Sequence, residues 1–384
     1  MKGNSLNKKN ITITILILLM LVLNFTVIAV NDLNRAIHLS WQNDPATTMT
    51  VMWRSEPGAE GTLEYGIDSN YAHSLESEIN SYKFGRTEVC WHTAEITGLE
   101  PNTIYHYKLN TSEPWQSEDH TFKTALAKGD GKSFKFVTFC DVQGGYDNFE
   151  KALREIKKEN PDLLLYLGDF TTSGTQIEYD RWFECGEDIF AEVPLMSVRG
   201  NVDSDPIYLE QFAFPGNKRW FSIDYRNVHF VFLSTMTEAE AAEQRPWLLK
   251  DLRENNNTWT IAMGHKPVFG SAAQNGPELY LVDNWADLFE DYGVDLYLNG
   301  HEHSYERTWP LKEGKIDREG VIYITNGSVG NEYYPAVETW LTAKAVGELC
   351  YTVFTVEGSQ IKGIVKQFED GSILDEFSLE HPYF

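Results

Sequence analysis

The chain is short of cysteine, of positive charge and of long apolar runs. Its four cysteines, Cys90, Cys140, Cys185 and Cys350, are scattered through 384 residues. That is too sparse for a disulfide framework. No Cys-x-x-Cys pair occurs, which argues against a thiolate zinc site. Lys and Arg total 32 against 57 Asp and Glu, a formal net charge of -25. Such a field argues against nucleic-acid backbones and anionic membrane surfaces as main partners. An anionic substrate would need local cations to overcome it, and a bound metal supplies them.

The single long apolar run is residues 11–30, preceded by Lys2, Lys8 and Lys9 and followed by Asp32. This is the layout of a secretory signal or an uncleaved signal anchor. The run is long for a signal core and just long enough to span a bilayer, so membrane attachment through residues 11–30 stays open. Val27-Ile28-Ala29 offers a small-residue cleavage site. No cysteine follows the run, which argues against a bacterial lipoprotein. Residues 1–30 are therefore read as a signal peptide or signal anchor, and the protein as secreted or held at the cell surface.

What is present is a folded chain, 42% hydrophobic and 13% aromatic, long enough for two domains. Residues 33–125 show short alternating segments punctuated by turns, the pattern of an antiparallel β-sandwich. Leu99-Glu100-Pro101-Asn102-Thr103-Ile104-Tyr105 resembles the tyrosine corner of fibronectin type III domains. No acid, base or ligand cluster occurs there, so the segment reads as a spacer or docking module. A linker rich in Gly, Lys and Ala follows at 125–132. Over 132–345 buried strands alternate with helical periods, including a helix at 277–292, which indicates a layered α/β domain. Residues 346–384 return to alternating strands with an Asp370-Gly371 turn, a β extension at a sheet edge.

Residues 300–308 read GHEHSYERT, directly after an apolar strand. In an extended segment His301 and His303 project to the same side. Imidazole is the commonest metal ligand, yet an isolated His-x-His is usually two surface histidines. Functional groups of open α/β sheets gather past the carboxyl ends of strands, and those positions are Asp141, Gly168-Asp169, Gly200-Asn201, Gly264-His265 and Gly300-His301. An aspartate after a strand is normally a turn residue. Five such ends together, two of them bringing imidazole, have the donor set for a pair of divalent ions.

The ordered series Asp, Gly-Asp, Gly-Asn, Gly-His, Gly-His-x-His resembles the calcineurin-like metallophosphoesterases. GHEHSYERT behind a β-sandwich is similar, more narrowly, to purple acid phosphatases. The resemblance implies a four-layer α/β/β/α sandwich. It implies one ion on Asp141, Asp169 and His303, and another on Asp169, Asn201, His265 and His301. The ions would be Mn, Zn or Fe, with Asp169, Asn201 and His301 serving catalysis and a metal-bridging hydroxide attacking a small phosphoester. The implied activity is phosphomonoester hydrolysis. Alternatives are a phosphodiesterase on the same core or a catalytically impaired metal-binding protein of the cell surface.

Three positions depart from the pattern. Thr172 stands where purple acid phosphatases carry the iron-binding tyrosine, which implies a colourless protein. Gln143 stands where the wider family has a histidine ligand. Val202 replaces the histidine of Gly-Asn-His, a group often assigned to protonating the leaving oxygen. Asp203, Asp205 and Tyr305 are candidate substitutes for that acid. Glu302 and Glu306 are candidates to hold the ligand imidazoles from behind, because such rings usually donate their second N–H to a carboxylate or carbonyl.

Overall fold

The computed structural model describes residues 35–381, apart from 86, 114, 272–273 and 331. The signal or anchor segment at 1–30 lies outside the described residues. No described helix is long and apolar enough to cross a membrane.

Residues 35–124 form two antiparallel sheets. One has the order β1 (His38–Ser40), β2 (Thr48–Ser55), β6 (Thr87–Thr97), β5 (Glu78–Phe84). The other runs β4 (His73–Glu76), β3 (Gly61–Gly66), β7 (Ile104–Thr111), β8 (Trp115–Gln116), with β9 (His120–Lys123) also on β7. The Glu100 N–H donates to Tyr105 Oη at 3.0 Å, closing the corner read from sequence. All eight residues of β2 are buried, so both of its faces are covered. Met49, Val51 and Trp53 alternate into the shared hydrophobic core, while Arg54 pairs with Asp180 of the next unit at 2.6 Å. His38 stacks on Phe183 at 5.0 Å, and Tyr107 donates to the Ala191 carbonyl at 2.6 Å. The sandwich is thus fused to its neighbour through a continuous core, a tighter arrangement than a spacer on a linker.

The second unit holds two sheets face to face. The first has the order β12-β11-β10-β22-β23-β24. Its strands are β10 (Phe134–Phe139), β11 (Leu163–Tyr166), β12 (Leu195–Ser197), β22 (Cys350–Glu357), β23 (Gln360–Gln367) and β24 (Ile373–Glu380). The second has the order β13-β14-β15-β16-β20-β17-β21. Its strands are β13 (Phe221–Tyr225), β14 (Val228–Phe232), β15 (Trp259–Met263), β16 (Leu296–Asn299), β17 (Tyr305–Thr308), β20 (Ile322–Asn326) and β21 (Thr342–Val346). A small hairpin, β18 (Leu311–Lys312) and β19 (Lys315–Ile316), stands apart.

Period-2 alternation explains the layers. Phe230 and Phe232 face the inner core, where Phe136 of the other sheet meets Phe230 edge-on at 5.2 Å. Val231 and Leu233 face an outer cluster built with Leu248 of helix α4 (Glu238–Glu254) and with Trp285 and Phe289. Helices α1 (Tyr146–Lys158) and α2 (Gln176–Phe190) cover the opposite sheet with Phe149 and Trp182. This is the α/β/β/α sandwich expected. A short helix α3 (Asp205–Gln211) follows β12.

The sequence reading differs in detail. The helix at 277–292 is broken into α5 (Leu279–Leu281), a π-helical turn at Val282–Ala286 and α6 (Asp287–Asp291). The strands β4 and β5 were not expected. Their residues are largely exposed and polar, so no apolar alternation marks them.

Candidate metal centre

Parallel strands of both sheets aim their carboxyl ends at one seam. The first sheet delivers Asp141 after β10, Asp169 after β11 and Asn201 after β12, while the second delivers His265 after β15 and His301 and His303 after β16. Carboxylates and amide therefore come from one sheet and imidazoles from the other. Asp141, Asp169 and His265 are buried and present ligand atoms all within 4.8 Å of one another. His265 Nε2 lies 3.3 Å from Asp169 Oδ1 and 2.9 Å from Asn201 Oδ1. His303 Nε2 lies 3.6 Å from Asp141 Oδ1. The rings of His265 and His301 stand 5.0 Å apart at 72°. All six residues picked from sequence share this seam.

The backbone is bent to achieve it. Asp141, Asp169 and His301 adopt φ of 58°, 59° and 72°, left-handed values that L-residues seldom take and that cluster at functional sites. Residues 301–304 form bends rather than extended chain. The two histidines meet the seam through a turn, then, and not through the period-2 geometry inferred from sequence. The glycines before them permit close approach. A Cβ on Gly200 would fall 1.9 Å from Asp169 Oδ1, and one on Gly300 would fall 2.5 Å from Asp141 Oδ2.

Surrounding groups hold the ligands still. Asp169 accepts from the Val202 N–H at 3.3 Å on Oδ1 and from Gln143 Nε2 on Oδ2. Asp141 accepts the His301 N–H at 3.2 and 3.1 Å. His265 Nδ1 contacts the Leu167 carbonyl at 2.9 Å, which assigns Nδ1 as the donor and leaves Nε2 facing the seam. His303 Nδ1 is buried with no hydrogen-bond partner among the described residues. The ring instead lies flat on Tyr334, centroids 4.6 Å apart and planes 7° apart.

The supporting roles read from sequence are revised. Glu302 and Glu306 do not reach an imidazole. Glu302 accepts the Gln274 N–H at 3.2 Å and the Gly276 N–H at 2.6 Å, together with the Asn275 N–H. Glu306 accepts from Ser271 Oγ at 2.6 Å and Thr342 Oγ1 at 2.7 Å. Both carboxylates fasten the loops that wall the seam. Tyr305 donates to Asp375 of β24 at 2.8 Å, and Asp205 pairs with Arg219 at 2.6 Å. Asp203 is spent on backbone N–H groups of the 169–171 turn and Gly200. None of the three proposed substitute acids is available. Lys266 lies beside the site but is paired with Glu278 at 2.5 Å. Tyr334 went unrecognised because its loop carries no motif.

The electrostatics suit a cation. Burial opposes charge on His265, yet Asp169 and Asp141 outweigh it and raise its pKa to about 9. Burial and the neighbouring His265 depress His301 to about 3. Two carboxylates with at most 1% exposure demand positive charge between them. Carboxylate, imidazole and amide oxygen match a first-row divalent ion.

Comparison with known proteins shows what this geometry is similar to. Residues 134–305 match the model of the calcineurin-like phosphoesterases, and residues 35–124 that of the purple acid phosphatase N-terminal domain. Acid phosphatase type 7 of Mus musculus is 28% identical over 406 residues, covering 90% of this chain and 90% of the relative. Purple acid phosphatase 15 of Arabidopsis thaliana is 28% identical over 291 residues, 64% of this chain and 55% of the relative. Among solved structures, purple acid phosphatase PPD1 from yellow lupin seeds superposes with a TM-score of 0.78 at 20% identity. That match covers 91% of this chain and 74% of the lupin protein, a likeness of fold.

Proposed function

We propose, for a chain that is a calcineurin-like phosphoesterase carrying a purple acid phosphatase N-terminal domain, an exported phosphomonoesterase that uses two divalent ions. The observation that supports it most is the convergence of Asp141, Asp169, Asn201, His265, His301 and His303 from five strand ends at one seam. Asp141, Asp169 and His303 would hold one ion; Asp169, Asn201, His265 and His301 would hold the other. Such a pair, of manganese, zinc or iron, would supply charge neutralisation for phosphoryl oxygens and a more acidic water for in-line attack. Asp169 faces both ligand groups and is held at each oxygen, by the Val202 N–H and by Gln143, so it fixes the distance between them. The name acid phosphatase borne by the mouse relative favours monoesters. Export rests on the apolar run at 11–30 alone.

The chain's own residues leave one step thinly served. With Val202 at the usual histidine and Asp203 committed to backbone N–H groups, protonation of the leaving oxygen has no buried imidazole. Substrates with acidic leaving groups are therefore favoured. The same observation supports the second reading, a metal-binding protein with weak turnover.

Metal analysis of the purified chain, with assays on nitrophenyl phosphate and the matching diester, tests the proposal. Two ions per chain, monoester turnover and its loss in Asp169→Asn are expected. Absent or substoichiometric metal sinks it; bound metal with diester turnover alone moves the assignment to phosphodiesterase.

A further inference from the structure

Two imidazoles at the seam are supported in different ways. His265 follows the usual rule for a metal-binding histidine, its second nitrogen held by the Leu167 carbonyl at 2.9 Å. His303 breaks it, since its Nδ1 is buried and unpartnered among the described residues. The two glutamates nearest in sequence, Glu302 and Glu306, are occupied with backbone and hydroxyl donors of loops 274–276, 271 and 342. Asp141 approaches Nε2 at 3.6 Å, but among the described residues nothing polar holds the ring at Nδ1.

An aromatic face does. Tyr334 lies parallel to His303 at 4.6 Å and 7°, and its own N–H donates to the His303 carbonyl at 2.9 Å. The tyrosine is thus tied to the histidine's main chain and stacked on its side chain at once. The loop bearing it is anchored at its far end too. Thr339 N–H donates to Thr342 Oγ1 at 2.9 Å, and that hydroxyl donates to Glu306 at 2.7 Å. Ring stacking of this kind shifts an equilibrium by about 2–13-fold beyond burial. That is enough to select one tilt of a ring whose Nδ1 has no competing hydrogen bond.

We propose that Tyr334 is the positioning residue for His303, its ring replacing the hydrogen bond that normally aims a metal-bound imidazole. The proposal rests on His303 being a ligand, as in the function proposed above. Its consequence is selective: Tyr334 governs the ion on the Asp141–His303 side and leaves the His265 side alone.

Manganese titration of the chelated, full-length chain by calorimetry separates these points. Wild type and Tyr334→Phe are expected to bind two equivalents alike, because both keep the ring. Tyr334→Ala is expected to keep one equivalent and weaken the other by about 2–13-fold. Tyr333→Ala, an exposed neighbour in the same loop, should change nothing, which controls for loop damage. In a His303→Ala background, Tyr334→Ala should have no further effect on metal binding, since the partner it aims is gone. Unchanged binding in Tyr334→Ala overturns the proposal, as does equal weakening of both equivalents. Equal loss in Tyr334→Phe overturns it by pointing to the hydroxyl. A wild-type chain that binds no manganese, zinc or iron removes the functional reading and this proposal together, whereas a binding wild type with an indifferent Tyr334→Ala removes this one alone.

Discussion

Asp203 stands directly behind Asp169, its Oδ2 accepting the Asp169 N–H at 3.1 Å. The same oxygen takes the Gly200 N–H at 2.9 Å, and Oδ1 takes the Thr171 N–H at 3.2 Å and its hydroxyl at 3.0 Å. One buried carboxylate thereby ties the turn after β11 to the turn after β12, the two turns that carry Asp169 and Asn201.

Asp203→Asn tests that tie. Both oxygens accept hydrogen bonds, so the new amide NH2 must face donors in either orientation. An unsatisfied buried group costs about 1–3 kcal/mol, and at least one donor would be left without an acceptor. Urea unfolding should show a loss of that order or more. An unchanged midpoint would mean the turns are held elsewhere.

Val202→His restores an imidazole beside Asn201. General acid catalysis is typically worth about 10²–10⁴-fold, so kcat should rise most for alkyl phosphates and least for nitrophenyl phosphate. A flat response across leaving groups would show that protonation is already supplied.

Gly200→Ala places a methyl where Asp169 Oδ1 now lies, at 1.9 Å. Backbone or carboxylate must shift, because real Cβ contacts do not come so close. Metal stoichiometry and turnover should both collapse, with a drop in melting temperature. A variant that retains both ions would show that the turn can open without loss.

His229 sits far from the seam, buried between Asp224 at 2.6 Å and Asp251 at 2.8 Å. Burial opposes its charge, but hydrogen bonds to both aspartates win and raise its pKa to about 9. A folded value above the unfolded one means its contribution is complete below about pH 6.5 and fades as pH rises through about 9. The contribution is at most on the order of 3 kcal/mol. Wild type should lose stability across that interval, while His229→Gln starts lower and loses less. Parallel curves for the two proteins would remove His229 from the account.

Much of this was legible in the sequence because the relevant physics is local. An apolar strand followed by glycine and a ligand type marks a strand end wherever it occurs, so Asp169, Asn201, His265 and His301 could be picked out one by one. Their convergence follows from topology. The supporting cast was not legible. Glu302 and Glu306 look like partners for histidine by adjacency, yet the turn at 301–304 and strand β17 send them to Gly276 and Ser271 of the connection after β15. Tyr334 is distant in sequence from His303 and belongs to no periodic pattern. The edge strands β4 and β5 present mostly exposed polar side chains, so only main-chain pairing reveals them.

The division of donors between the two sheets has a consequence for how the centre comes into being. When synthesis has passed the turn after β12, the seam has its carboxylates and amide but none of its imidazoles. His301 and His303 arrive about a hundred residues later, and Asp375, which holds Tyr305 and Arg307, arrives later still. Neither half of the sandwich can therefore capture an ion in the way the whole does. On the function proposed, metal retention would report on the docking of one sheet against the other, a late quality check on the assembled molecule.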